Sequence, residues 1–108
     1  MIRKAKLSDV KGIYKLIEIF ANKGEMLHRP LNDIYENLRD FYVYEENGVL
    51  IGSCALHISW EDIGEIRSLT VSEEAGGKGI GTILVHACLD EARSLGIPKI
   101  FALTYKPG

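Results

Sequence analysis

Four glycines within six residues, in Gly76-Gly77-Lys78-Gly79-Ile80-Gly81, form the segment of this chain with the clearest chemical meaning. It follows an apolar run ending at Val71 and precedes a helical pattern of apolar residues. Without Cβ atoms in the way, successive backbone N–H groups can converge on one anion. A helix that starts at once adds its unsatisfied first-turn N–H groups and the positive end of its dipole. The product is a cradle for a pyrophosphate, to which Lys78 can add a charge. Two phosphate motifs do not fit. The dinucleotide fingerprint needs G-x-G-x-x-G and an acid about 20 residues later, and the next apolar run, from Ile100 to Tyr105, carries none. The P-loop needs a Lys-Ser/Thr pair after its last glycine, and here Thr82-Ile83 follows Gly81. A connector that binds nothing is the remaining alternative, disfavoured because clustered glycines cost conformational entropy.

Other chemistries find less support. His28, His57 and His86 fall on a loop, a strand and a helix, without metal-ligand spacing, so no metal is expected. Ser53 and Cys54 lack an evident histidine partner for nucleophilic catalysis. Cys54 and Cys88 sit inside apolar runs and read as small buried hydrophobes rather than a bridge, which favours a reducing, cytoplasmic setting.

The elements that position the glycines follow from periodicity. Ile2 to Ala5 is a short strand. Ser8 can cap a helix carrying Val10, Ile13, Tyr14, Ile17, Phe20 and Ala21, which Gly24 ends. A second amphipathic stretch holds Leu31, Ile34, Tyr35, Leu38 and Phe41. Phe41 to Glu45 is aromatic and β-branched, Asn47-Gly48 is a tight hairpin turn, and Val49 to Trp60 returns as a long strand. A turn at Glu61-Asp62 leads into Gly64 to Val71. Beyond the glycines, Ile80, Ile83, Leu84, Ala87, Cys88, Glu91 and Leu95 mark a helix that Gly96 and Pro98 stop, and Ile100 to Tyr105 is a last strand. The order is β-α-α-β-β-β-α-β. The three long strands should be antiparallel, and the crossover helix should make the last pair parallel. This is a mixed sheet flanked by helices, of the α+β class.

The 108 residues hold 13 Lys+Arg and 15 Asp+Glu, a net charge of −2, with 46% hydrophobic residues. Such a chain fits one ordinary globular domain spanning residues 1–108. Its slightly acidic balance gives no reason to expect nucleic acid as a partner. The longest uncharged stretch, from Asn47 to Trp60, has 14 residues, short of the roughly 20 apolar ones of a membrane span.

Leu69-Thr70-Val71, the glycine cluster and the helix ending at Gly96 resemble the acetyl-CoA motif of the GNAT acyltransferases. The resemblance extends over the whole chain and implies that family's fold. It implies that Leu69, Thr70 and Val71 meet pantetheine along an exposed strand edge. It also implies that Gly76, Gly77, Lys78, Gly79, Ile80, Gly81 and Thr82 hold the pyrophosphate of acetyl-CoA. Two features depart from the pattern. Gly76 stands where the family has Arg or Gln, and the sequence ends soon after a strand that in the family is followed by another helix and two strands. An open last strand would favour a homodimer through that edge.

Amide formation from a thioester needs a neutral amine, a donor for the oxyanion and a proton for the leaving thiolate. By resemblance, Glu65 is the candidate base, a backbone N–H near Leu69 or Thr70 the oxyanion donor, and Tyr105 a candidate acid. In a regular strand, however, Glu65 would share its face with Leu69 and Val71. A bulge between Glu65 and Leu69 would resolve this conflict.

The segments Met26-Leu27-His28-Arg29, Leu31 to Phe41, Glu65 to Val71 and Phe101 to Tyr105 are similar to N-acetylglutamate synthases. That likeness implies a small-molecule amine acceptor, L-glutamate, used in arginine biosynthesis. Arg29 and Lys106 would hold its carboxylates. A GNAT enzyme for another amine and a CoA-binding module without turnover remain open alternatives.

Overall fold

A left-handed pair, Asn47 at φ 51° and Gly48 at φ 77°, folds the chain back on itself and joins β2 (Phe41–Glu46) to β3 (Val49–Trp60). This is the turn geometry whose twist matches that of the strands it connects. The computed structural model describes residues 1–103. Its other strands are β1 (Ile2–Lys4), β4 (Ile63–Val71) and β5 (Lys99–Ala102). They form one sheet in the order β1-β2-β3-β4-β5. The first three pairings are antiparallel and β4 pairs with β5 in parallel. The helices are α1 (Val10–Asn22), the short α2 (Leu31–Glu36) and α3 (Ile80–Leu95). The fold is the mixed α+β sheet that the sequence pattern predicts.

Alternation along the strands divides the core in two. On one face Phe41, Val43 and Ala55 pack against Val10, Ile13 and Ile17 of α1 and Ile34 of α2. On the other, Cys54 and Leu56 pack against Ile80, Leu84, Cys88 and Ala92 of α3. Gly52 lets α3 come close, because a Cβ there would stand 2.9 Å from Leu84 Cδ1. Both cysteines are free and buried; a hydrogen bond with Cys88, together with burial, pushes the Cys54 thiol up.

Helix α3 forms where the pattern places it, with Ile83 and Leu95 39% and 53% exposed, because it rests on the sheet along one i, i+4 row that includes Ala92. The last strand is described over Lys99–Ala102, starting one residue before the expected Ile100; Leu103 lies beyond it and is exposed, and Thr104 and Tyr105 lie outside the described residues.

β1 is tied to the start of α1 by a buried carboxylate. Asp9 accepts two hydrogen bonds from the Arg3 guanidinium, at 2.7 and 3.0 Å, and a third from the Lys6 N–H at 2.7 Å. The Arg3 bond is the main cause holding the Asp9 carboxyl below its ordinary range. A carboxylate so depressed stabilises the fold above its unfolded value, and that contribution is lost as pH falls. Asp9→Asn is expected to lower the unfolding free energy by about 1–3 kcal/mol at pH 7. The gap from the unmodified protein should close below roughly pH 4, as denaturant titrations at several pH values would measure.

Candidate active site

One residue in β4 controls the geometry around it. Ser68 has φ 53°, a left-handed conformation that costs an L-residue roughly 1–2 kcal/mol. The strand register shifts at the same place: Arg67 faces Ala55, but Thr70 faces Ser53. Two residues of β4, Ser68 and Leu69, therefore oppose Cys54 alone, which defines a bulge. This is the bulge that the face conflict between Glu65 and Val71 requires. Below it, Glu65 and Arg67 lie on the face of α1 and α2. Above it, Thr70 lies on that same face and is 1% exposed, whereas Val71 faces α3, its Cγ2 standing 3.6 Å from where a Cβ on Gly81 would be.

β4 and β5 also part company here. Their pairing ends at Ile66 and Ala102, while β4 continues to Val71. Ser72 donates its N–H to Ile51 on the β3 side at 2.8 Å, so by alternation Val71 turns its own N–H and C=O to the opposite edge. Among the described residues this leaves a strand edge to which an extended ligand could pair. Beside it lies a cleft of about 610 Å³, lined by the connection Glu25 to Arg29, by Glu65 to Leu69, and by Ala102 and Leu103.

Within the cleft, Glu65 is buried, 7% exposed, and accepts a hydrogen bond from Arg67 Nε at 2.7 Å. Arg29 is held on three sides. Its Nε donates to Asp33 at 2.8 Å and Nη1 to the Ser68 hydroxyl at 3.0 Å. Its guanidinium also lies 5.1 Å from the centre of the Phe41 ring. The arrangement offers one buried carboxylate that can accept a proton and two guanidiniums that can meet an anionic group. Arg67 was not among the expected site residues. Its signal is the i+2 spacing from Glu65, which puts both side chains on one face of a strand. Lys106 and Tyr105, expected here, lie outside the described residues.

The glycine segment starts one short 3-10 turn beyond β4. Gly77 and Gly79 have φ 81° and 73°, and a Cβ at either would meet nothing within 4 Å. Gly76 differs, with φ −61°, as does Gly81, which lies inside α3. No side chain caps α3, whose N-cap is Gly79. Its first-turn N–H groups thus have no side-chain cap, and such donors can hold a pyrophosphate. Lys78 stands 4.0 Å from Glu46 of β2, away from the cleft. Leu69, Thr70 and Val71 link cleft and loop as one strand. Among the described residues no cluster of His, Cys, Asp or Glu could hold a metal ion, and no helix is long and apolar enough to cross a membrane.

Comparison with known proteins matches residues 10–107 to the Acetyltransferase (GNAT) family. An amino-acid acetyltransferase of Mycobacterium tuberculosis is 37% identical over 98% of this chain and 62% of its own length. A Mycobacterium tuberculosis crystal structure in complex with CoA and NLQ superposes with TM-score 0.92 at 37% identity, over 98% of this chain and 65% of that one. An N-acetylglutamate synthase from Neisseria gonorrhoeae, complexed with coenzyme A and N-acetyl-glutamate, gives TM-score 0.91 at 35% identity, over 96% of this chain and 25% of that one. The chain thus spans less than two thirds of each of these relatives.

The left-handed Ser68 has a distinctive signature. Ser68→Ala and Ser68→Gly both remove the hydroxyl that Arg29 meets, but only glycine relieves the backbone. The glycine variant is expected to be more stable than the alanine variant by about 1 kcal/mol, the reverse of the usual order within a strand. Equal stability in thermal melts, or alanine the more stable, would show that Ser68 does not hold this conformation in solution.

Proposed function

The chain belongs to the Acetyltransferase (GNAT) family, and from that premise we propose that it transfers acetyl from acetyl-CoA to the α-amino group of an amino acid, with L-glutamate as the acceptor. The observation that carries this reading is the edge of β4 from Arg67 to Val71, unpaired on the β5 side among the described residues and running from the cleft into the glycine loop. Leu69, Thr70 and Val71 run alongside the pantetheine arm. The N–H groups from Gly76 to Thr82 hold the pyrophosphate, with Lys78 at the loop's outer side. Acetyl-CoA supplies an activated thioester carbonyl at the bulge. Arg29 takes a carboxylate of the acceptor and Lys106 assists it; the complex of the similar Neisseria gonorrhoeae synthase with N-acetyl-glutamate supports glutamate as that acceptor.

Glu65 accepts a proton from the acceptor ammonium, directly or through water, and Arg67 keeps its carboxylate in place. Tyr105 returns a proton to the leaving thiolate. A role in arginine biosynthesis in the cytoplasm follows from this acceptor, and the two free thiols suit a reducing compartment. Among the described residues β5 pairs only with β4, and its Phe101 is 41% exposed. A homodimer through that edge completes the proposal.

The test is acetyl transfer to a panel of amino acids, with Glu65→Gln alongside. The substitution keeps shape and removes basicity. It should lower kcat by roughly 10²–10⁴ at neutral pH with little change in CoA affinity. The loss should shrink as pH rises, because more of the acceptor amine is then already neutral. Near-normal kcat for Glu65→Gln from about pH 6 to 9 would place the base elsewhere. Transfer to other amines but not to glutamate would remove the proposed acceptor.

A further inference from the structure

The bulge at Ser68 is gripped from behind by a group that plays no part in the scheme above. Ser53, on β3, is completely buried, and its Oγ lies 3.0 Å from the Ser68 carbonyl oxygen and 2.7 Å from Thr70 Oγ1. A carbonyl oxygen can only accept, so the single Ser53 hydroxyl proton goes to Ser68. Thr70 is then the donor in the second contact, and its proton goes to Ser53. The two hydroxyls form a directed relay that ends on one peptide group.

That peptide joins Ser68 to Leu69. It is trans, as are all peptides among the described residues. In a trans peptide the C=O and the following N–H point in opposite directions. Drawing the Ser68 carbonyl toward Ser53 on β3 therefore turns the Leu69 N–H away from β3, toward the edge that no described residue of β5 pairs with. Leu69 lines the cleft. We propose that Ser53 is a positioning residue, which fixes the Ser68–Leu69 peptide so that the Leu69 N–H is the preorganised donor for the oxyanion of acetyl transfer.

The inference rests on the acetyltransferase reading and adds to it the group that aims the donor. The left-handed Ser68 explains why such a grip is needed. A strained φ persists only when its surroundings over-determine it. Here Ser53 holds the carbonyl from within the sheet, and Arg29 holds the hydroxyl from the cleft side. Without Ser53 the peptide is free to rotate, and a donor that must reorient during the reaction loses most of its value.

Two variants, measured against the unmodified protein, separate aiming from mere support. Ser53→Ala should lower kcat roughly ten- to hundredfold, less than outright removal of an oxyanion donor, with the affinity for CoA, which has no acetyl carbonyl, kept within about twofold. Ser53→Ala also strands the Thr70 hydroxyl in the core and should lower the melting temperature. Adding Thr70→Val replaces the remaining hydroxyl with a methyl group and should recover much of that loss, but not kcat. Recovery of kcat together with melting temperature in Ser53→Ala/Thr70→Val would make Ser53 a stability residue only and overturn the inference, as would a normal kcat for Ser53→Ala. An unmodified protein that binds CoA and transfers no acetyl to any amine would instead overturn the proposed function, and this inference with it.

Discussion

The arrangement depends on one interruption in one strand. If β4 continued through Ser68 with regular alternation, Glu65 and Val71 would share a face, and the carboxylate or the valine would lie on the wrong side of the sheet. The extra residue lets β4 serve both sides in turn. Below the bulge it lends Glu65 and Arg67 to the cleft under α1 and α2, and above it turns Val71 toward α3. The left-handed Ser68 is the cost of that switch, and partly buried hydrogen bonds to its carbonyl and hydroxyl offset it.

The bulge also links parts of the site that are far apart in sequence. Arg29 arrives from the connection between α1 and α2, fixed by Asp33 one turn into α2. Asp33 in turn accepts a hydrogen bond from the Asn37 amide at 2.9 Å. The same guanidinium reaches Ser68, so a ligand carboxylate competing for Arg29 acts on a residue adjacent to the Leu69 N–H. Beyond Val71, the strand delivers the glycines to the uncapped start of α3. Gly52 lets that start sit close against β3, so the loop is referred to the same sheet as the bulge.

Much of this was legible in the residues. Asn47-Gly48 marks the hairpin, and the bounds of β3 follow from the apolar run it opens. The conflict of faces around Glu65 calls for a bulge before any coordinates are known. Other features depend on tertiary geometry that local pattern does not carry. A serine is an unusual choice for a left-handed residue, and only its partners Arg29 and Ser53, 39 and 15 residues away in the chain, explain it. The four glycines look alike in sequence, yet only Gly77 and Gly79 need their freedom at φ, whereas Gly76 and Gly81 do not. The core row of α3 runs through Ala92 rather than Leu95, because the helix is set by its approach to the sheet and not by the largest apolar residues.

The central claim is that β4 presents an aimed backbone edge leading into an anion cradle. Amide chemical shifts followed by NMR during titration with CoA and with acetyl-CoA test it directly. Both ligands should move the amides of Val71 and of Gly77 to Thr82. The Leu69 amide should respond differently to the two, since only acetyl-CoA carries the carbonyl that its N–H faces. Shifts confined to another surface, such as the smaller cavity between Phe20, Lys23 and Ser72, or an identical Leu69 response to both ligands, would contradict the account.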